Sequence, residues 1–173
     1  MFEMNVTADA SILIHLAAIG RFNLLKELFR EIVIPEGVYY EVVIEGWGLA
    51  GSVETSEATK AGFMRVVRVT DQEKVKELSE RYKVSTTNSE VIQLSKELSA
   101  EIVLANEDEI RDAAQEAGFQ VKGCLGILVS SVKNEIISPS QAIQNIDDLV
   151  ESGYRIHDDI IKRMKETLRR WDR

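Results

Sequence analysis

The sequence predicts an α/β fold with a mainly parallel sheet of about five strands in a single domain. Five short runs rich in Val, Ile or Phe are each bounded by turn or helix signals. Segments with helical apolar spacing lie between them, and strand alternating with helix is the pattern of parallel βαβ units. A length of 173 residues suits one domain, and 45% apolar with 29% charged residues is an ordinary globular balance that excludes disorder.

The expected strands are residues 4–8, 31–34, 64–69, 101–105 and 119–122. After the first, Ile12, Leu13, Leu16 and Ala17 form one helical stripe that Gly20 stops. After the second, Val38, Val42 and Val43 form another, ended by the loop Gly46-Trp47-Gly48. Thr70 with Glu73, and Thr87 with Glu90, read as capping boxes opening two helices, the first carrying Val75 and Leu78, the second Ile92 and Leu94. Ser138-Pro139-Ser140-Gln141 is a third start signal, with a cap residue, Pro at the first position and Gln at the third. Gly118 and Gly153 are expected helix ends. Residues 139–173 read as a helical C-terminal extension of one domain spanning 1–173. Ile160, Ile161, Met164 and Leu168 give its last helix an apolar face for docking. The same segment carries Lys162, Arg163, Lys165, Arg169, Arg170 and Arg173 against only Glu166 and Asp172, a basic strip suited to a partner or an anionic ligand, or to complementing the helix C-terminal dipole.

Charge and cysteine usage narrow the classes further. Twenty-one Lys and Arg face 29 Asp and Glu, a formal net charge of −8, which argues against a nonspecific coat for duplex DNA but not against a nuclease. Cys124 is the one cysteine, so no intrachain disulfide can form, and a cytoplasmic setting is expected. The longest uncharged stretches, 10–20 and 136–146, have 11 residues, against the roughly 20 that a membrane helix needs. Met1-Phe2-Glu3-Met4 shows no basic region before an apolar run, so no secretory signal is expected.

In parallel sheets ligands sit beyond the carboxyl ends of the strands. Asp9 stands there after the first strand, with Ser11 beside it. It can cap the next helix and still face a crevice. Asn106-Glu107-Asp108-Glu109 follows the fourth strand, and an acidic first turn complements the helix dipole whether or not it has a further role. Glu41 by itself reads as a surface residue of an amphipathic helix, and Glu90 reads equally as the reciprocal partner of the Thr87 cap. His15 and His157 read as packing or loop residues. With no Cys–His cluster, no glycine-rich phosphate loop and no nucleophile elbow, the remaining chemistry is carboxylates with hard cations. Carboxylates sharing a cleft resist joint ionisation, so at least one is expected to have a raised pKa.

Five segments in order resemble the motifs of PIN-domain proteins. They are Val6-Thr7-Ala8-Asp9-Ala10-Ser11, the run Ile34-Pro35-Glu36-Gly37-Val38-Tyr39-Tyr40-Glu41, Thr87-Asn88-Ser89-Glu90, Leu104-Ala105-Asn106-Glu107-Asp108, and Gly123-Cys124-Leu125-Gly126. The resemblance implies a three-layer α/β/α sandwich. It implies an endoribonuclease dependent on Mg²⁺ or Mn²⁺, like the toxins of VapC-like toxin–antitoxin pairs, forming a homodimer and held by a small antitoxin. Carried over by position, Asp9, Glu41, Glu90 and Asp108 stand as catalytic metal-binding carboxylates, with Asn106 as a neutral ligand. These are expected to share one cleft.

Asn88 and Asn106 depart from the pattern, since the related branch usually has acidic residues there. An amide brings no charge to a hard cation. The alternative is therefore a catalytically weakened or inactive module that binds RNA or an antitoxin. A phospho-receiver domain using Asp71 and Lys122 is a third reading, disfavoured because Asp9 has no acidic neighbour.

Overall fold

All five expected runs form strands in the computed structural model, which describes residues 4–172; Met1, Phe2, Glu3 and Arg173 lie outside the described residues. The order is β1 Val6–Ala8, α1 Ala10–Ala18, α2 Asn23–Leu28, β2 Ile32–Pro35, α3 Glu36–Tyr39, α4 Ser52–Lys60 and β3 Met64–Val67. Then come α5 Gln72–Tyr82, α6 Thr86–Glu97, β4 Ile102–Leu104, α7 Asp108–Glu116, β5 Gln120–Lys122, α8 Cys124–Lys133, α9 Pro139–Glu151 and α10 Asp158–Trp171. Helix α3 runs on without a break into a π-helical segment, Tyr40–Glu45.

The sheet is wholly parallel in the order β3-β2-β1-β4-β5, with Thr7 paired to Val33 on one side and Val103 on the other. Strand order proceeds in one direction from β1 to β3 and in the other through β4 to β5. The switch falls between β1 and β4, where the carboxyl ends of parallel strands open a crevice. A receiver-type domain has the order 2-1-3-4-5, so this topology excludes that alternative. Asp71 has a capping role instead, accepting from the Lys74 N–H at 3.1 Å.

Helices cover both faces. α6 packs on β1 and β2 and touches α5 and α7, while α4 lies against β3 and α8 against β5, α2 and α9. The core follows from strand alternation. Ile32 and Ile34 join the main cluster with Ile12, Leu13, Leu16, Leu24 and Leu104, whereas Val33 points to a smaller cluster with Val69, Val75 and Leu94 beneath α5 and α6. The hydroxyls of Thr7 and Ser95, both buried, meet at 2.7 Å and satisfy each other between β1 and α6.

Local capping signals held in part. Asp9 caps α1 through the Ile12 N–H, and Ser138 with Gln141 forms the expected reciprocal box. Two boxes are shifted by one or two residues. Asp71, not Thr70, caps α5, and Ser85, not Thr87, caps α6 through the Asn88 N–H at 3.1 Å. The cap placed at Ser85 puts Thr87 inside the helix and frees Glu90 from any capping role there. Gly118 and Gly153 close α7 and α9 with φ of 94° and 97°, a region that glycine enters without steric cost.

Helix α10 docks through its apolar face. Leu168 is fully buried, with Ile161 and Met164 packed on the main core, while Ile160 is exposed. Lys165 pairs with Asp147 on α9. Lys162, Arg163, Arg169 and Arg170 remain exposed on the outer side.

Candidate functional site

The switch between β1 and β4 holds a cleft of about 520 Å³. Its wall includes Asp9 and Ser11 from the start of α1, His15 from its last turn, Glu41 from the π-helical segment, Lys83, Val84 and Ser85 from the α5–α6 connection, Asn88 from the first turn of α6, and Glu107 and Glu109 from the start of α7. Asp9, Ser11, Asn88, Glu107 and Glu109 arrive there because a strand ends or a helix begins at that point. The wider π-helical turn carries Glu41 to the rim, and such turns recur at functional sites.

Asp9 is the centre of the arrangement. It is 1% exposed, and Ser11 Oγ lies 2.8 and 2.9 Å from its two carboxylate oxygens. The Ile12 N–H donates to Oδ1 at 3.0 Å. Burial pushes its pKa up to about 7, against the opposing pull of these hydrogen bonds, and the nearby Glu107 charge adds to the rise. Glu41 is raised as well, by burial first and then by Glu107 and Glu45. The expected pKa elevation is therefore present, but desolvation leads it and like-charge repulsion is secondary. His15 is held below its ordinary value by burial, with Glu107 opposing, and its ring meets Tyr154 edge-on at 5.3 Å.

The structure divides the five expected site residues among three places. Asp9 and Glu41 share the cleft. Glu90 does not: it lines a separate cleft with Glu36, Gly37 and Arg68. The reason is helical phase. Asn88 and Glu90 are two residues apart on α6, about 200° around the axis, so they face opposite ways. The Gly37 N–H hydrogen-bonds Glu90, and a Cβ at Gly37 would lie 2.6 Å from Glu90 Oε2. Glu90 thus braces the start of α3. Burial raises its pKa, with Glu36 adding and the Gly37 bond opposing.

Asp108 and Asn106 line a third cleft, of about 730 Å³, between β5, the start of α8 and α10. Asn106 reaches Asp9 through its backbone N–H only. Its side chain is committed elsewhere: Oδ1 accepts the Cys124 N–H at 2.8 Å, and Nδ2 donates to Cys124 Sγ at 3.1 Å. Glu107, just ahead of Asp108, takes the place in the acidic cleft expected for Asp108. Its Oε2 lies 3.5 Å from Asn88 Nδ2. Glu107 and His15 also hold site positions and were not among the expected ligands. The density of acids after β4 signalled the first. The second stands four residues after Ser11, on the same face of α1.

A family model described as a PIN domain (DUF3368) matches residues 5–170. The chain belongs to the PIN-domain family. No curated protein matches it. Among solved structures it is similar to PAE2754 from Pyrobaculum aerophilum, at 13% identity, covering 68% of this chain and 90% of that one with a TM-score of 0.51, a likeness of fold. The five-stranded parallel sheet with helices on both faces is the α/β/α architecture of that fold.

PIN domains generally use divalent metal ions, and the PIN cleft here offers hard oxygen donors of the right kind. Their spacing does not make a ligand set. Among the described residues no three His, Cys, Asp or Glu side chains stand close enough to hold a metal ion. Of the expected ligands, two carboxylates reach the cleft, two face away, and the amide is spent on Cys124.

Proposed function

We propose that this PIN protein is an endoribonuclease of weakened type, with its site in the cleft of Asp9, Glu41 and Glu107. The observation that carries the reading is Asp9: a buried carboxylate, held by Ser11 and Ile12 at the strand switch, with a pKa of about 7. A group that titrates near neutral pH and is fixed in orientation can hold or accept a proton beside a scissile phosphodiester. Burial keeps that proton on Asp9 at higher pH, and the Glu107 charge adds to the effect. Mg²⁺ or Mn²⁺ is the cofactor expected of a PIN nuclease. Because the carboxylates do not form a ligand set as they stand, affinity should be low.

The partners in this proposal are RNA, a small antitoxin protein and a second copy of the chain, in the cytoplasm. Tyr40, Ile44, Trp47, Leu49 and Val53 support a protein partner: all are exposed, and all lie on the π-helical segment, the following loop and α4. The lone Cys124 and RNA as substrate support the compartment, and no helix among the described residues is long and apolar enough to cross a membrane.

The second reading is a PIN module that binds RNA or an antitoxin without turnover, favoured by the commitment of Asn106 to Cys124. Both are tested by RNA cleavage with wild-type and Asp9→Asn protein, with and without EDTA, alongside calorimetric titration with Mn²⁺. Weak cleavage that EDTA and Asp9→Asn each remove supports the nuclease. Cleavage indifferent to both sinks it, and RNA binding with neither cleavage nor Mn²⁺ heat leaves the binding module.

A further inference from the structure

The larger cleft, on the other side of Asn106 from Asp9, has a composition opposite to that of the acidic one. Arg111, Lys122 and Arg155 line it against the single carboxylate of Asp108, in a chain of net charge −8. Among the described residues, none of the three cations takes part in an ion pair. Two are nonetheless fixed in place by neutral acceptors. Arg111 Nη1 donates to the Ala105 carbonyl at 3.0 Å, and Lys122 Nζ donates to Ser130 Oγ at 2.8 Å. Two glycines make room for them. A Cβ at Gly123 would lie 2.7 Å from Arg111 Nη1, and one at Gly126 would lie 2.7 Å from Lys122 Cγ. Arg111 and Lys122 are thus held against neutral acceptors with no ion-pair partner among the described residues, and burial holds the Lys122 ammonium below its ordinary pKa. Val121, Ile156 and Met164 supply an apolar wall.

We propose that this cleft is a nucleotide subsite, taking a phosphate on Arg111, Lys122 and Arg155 and a base against Val121, Ile156 and Met164. Its volume of about 730 Å³ suits a ligand of that size. Unmatched, fixed cations call for an anion with several acceptor oxygens, and the adjacent apolar wall calls for a flat, weakly polar body attached to it. Asn106 lines this cleft and touches Asp9 through its backbone, so the two clefts adjoin. The nucleotide is accordingly one next to the bond presented to Asp9, an assignment that rests on the ribonuclease reading; the binding itself does not.

Amide NMR titration of the full chain at low salt tests the subsite, using AMP, adenosine and inorganic phosphate as separate probes. AMP should shift the amides of Gly123, Gly126 and Ile156, and should bind about ten-fold or more tightly than either adenosine or phosphate. Arg155→Glu reverses one of the three charges and should weaken AMP about ten-fold or more, and because Arg155 is exposed the fold should survive the change. Raising the salt should weaken AMP and leave adenosine unchanged. AMP shifts absent from this cleft, phosphate binding as tightly as AMP, or an Arg155→Glu variant with undiminished affinity each overturn the subsite. The wild-type chain separates the two proposals: AMP binding in a wild-type chain that cleaves no RNA upholds the subsite and removes the catalytic reading. Cleavage by a chain that does not bind AMP does the reverse.

Discussion

Asp9→Asn should make stability less dependent on pH, in a direction and amount that the burial of Asp9 dictates. Its pKa is about 7 in the folded chain against an ordinary 3.8, so between these values the unfolded state has lost its proton while the folded state keeps it. Stability therefore falls as pH rises through this window, and the fall is complete once pH exceeds the folded value. The gap corresponds to about 4 kcal/mol. Asn keeps an acceptor for the Ile12 N–H and for Ser11 but cannot ionise, so any packing penalty is constant with pH. The stability of Asp9→Asn minus that of the wild type should then grow by about 4 kcal/mol between pH 4 and pH 8. Glu41 and Glu90 titrate in both proteins and largely cancel. Urea unfolding at pH 4, 5.5, 7 and 8 measures the difference. A difference flat over that range would show that Asp9 ionises normally when folded, and the proton-holding role assigned to it would fall.

Other substitutions probe the surroundings. Gly37→Ala places a methyl against Glu90 Oε2, so Glu90 must leave the Gly37 N–H, and urea unfolding should show a loss of about 1 kcal/mol; a neutral effect would deny Glu90 its bracing role. Asn106→Asp adds a charge against Cys124, on the residue whose backbone N–H holds Asp9. Without a divalent cation the variant should be less stable at pH 8, and calorimetry should show tighter Mn²⁺ binding, whereas unchanged affinity would mean that this position is closed to metal. Leu168→Ala removes a fully buried side chain and should cost about 2–5 kcal/mol. Arg169→Ala with Arg170→Ala, both on the exposed side, should each change stability by less than about 0.5 kcal/mol. If α10 contacts RNA, that pair should lower RNA affinity and its salt dependence. Cutting the chain after Thr167 is not an equivalent test, because it also deletes Leu168.

What could be read in the sequence was local. Strand runs, the stop at Gly20, the Ser138 box and the placement of Asp9 after β1 depend on a few neighbouring residues and their backbone preferences, and the structure keeps them. The order of motifs along the chain suffices to suggest the PIN family. The composition of the acidic cleft was not legible, because it depends on helical phase summed over several elements. Moving the α6 cap from Thr87 to Ser85 leaves Asn88 facing the cleft and Glu90 facing α3. One residue at the start of α7 decides that Glu107, and not Asp108, faces Asp9. The π-helical turn that delivers Glu41 has no sequence signature to distinguish it from an ordinary helix. The pKa of Asp9 is likewise a tertiary property. Its neighbours in sequence, Ser11 and Ile12, lower it, and the desolvation imposed by packing, with the Glu107 charge adding, raises it to about 7.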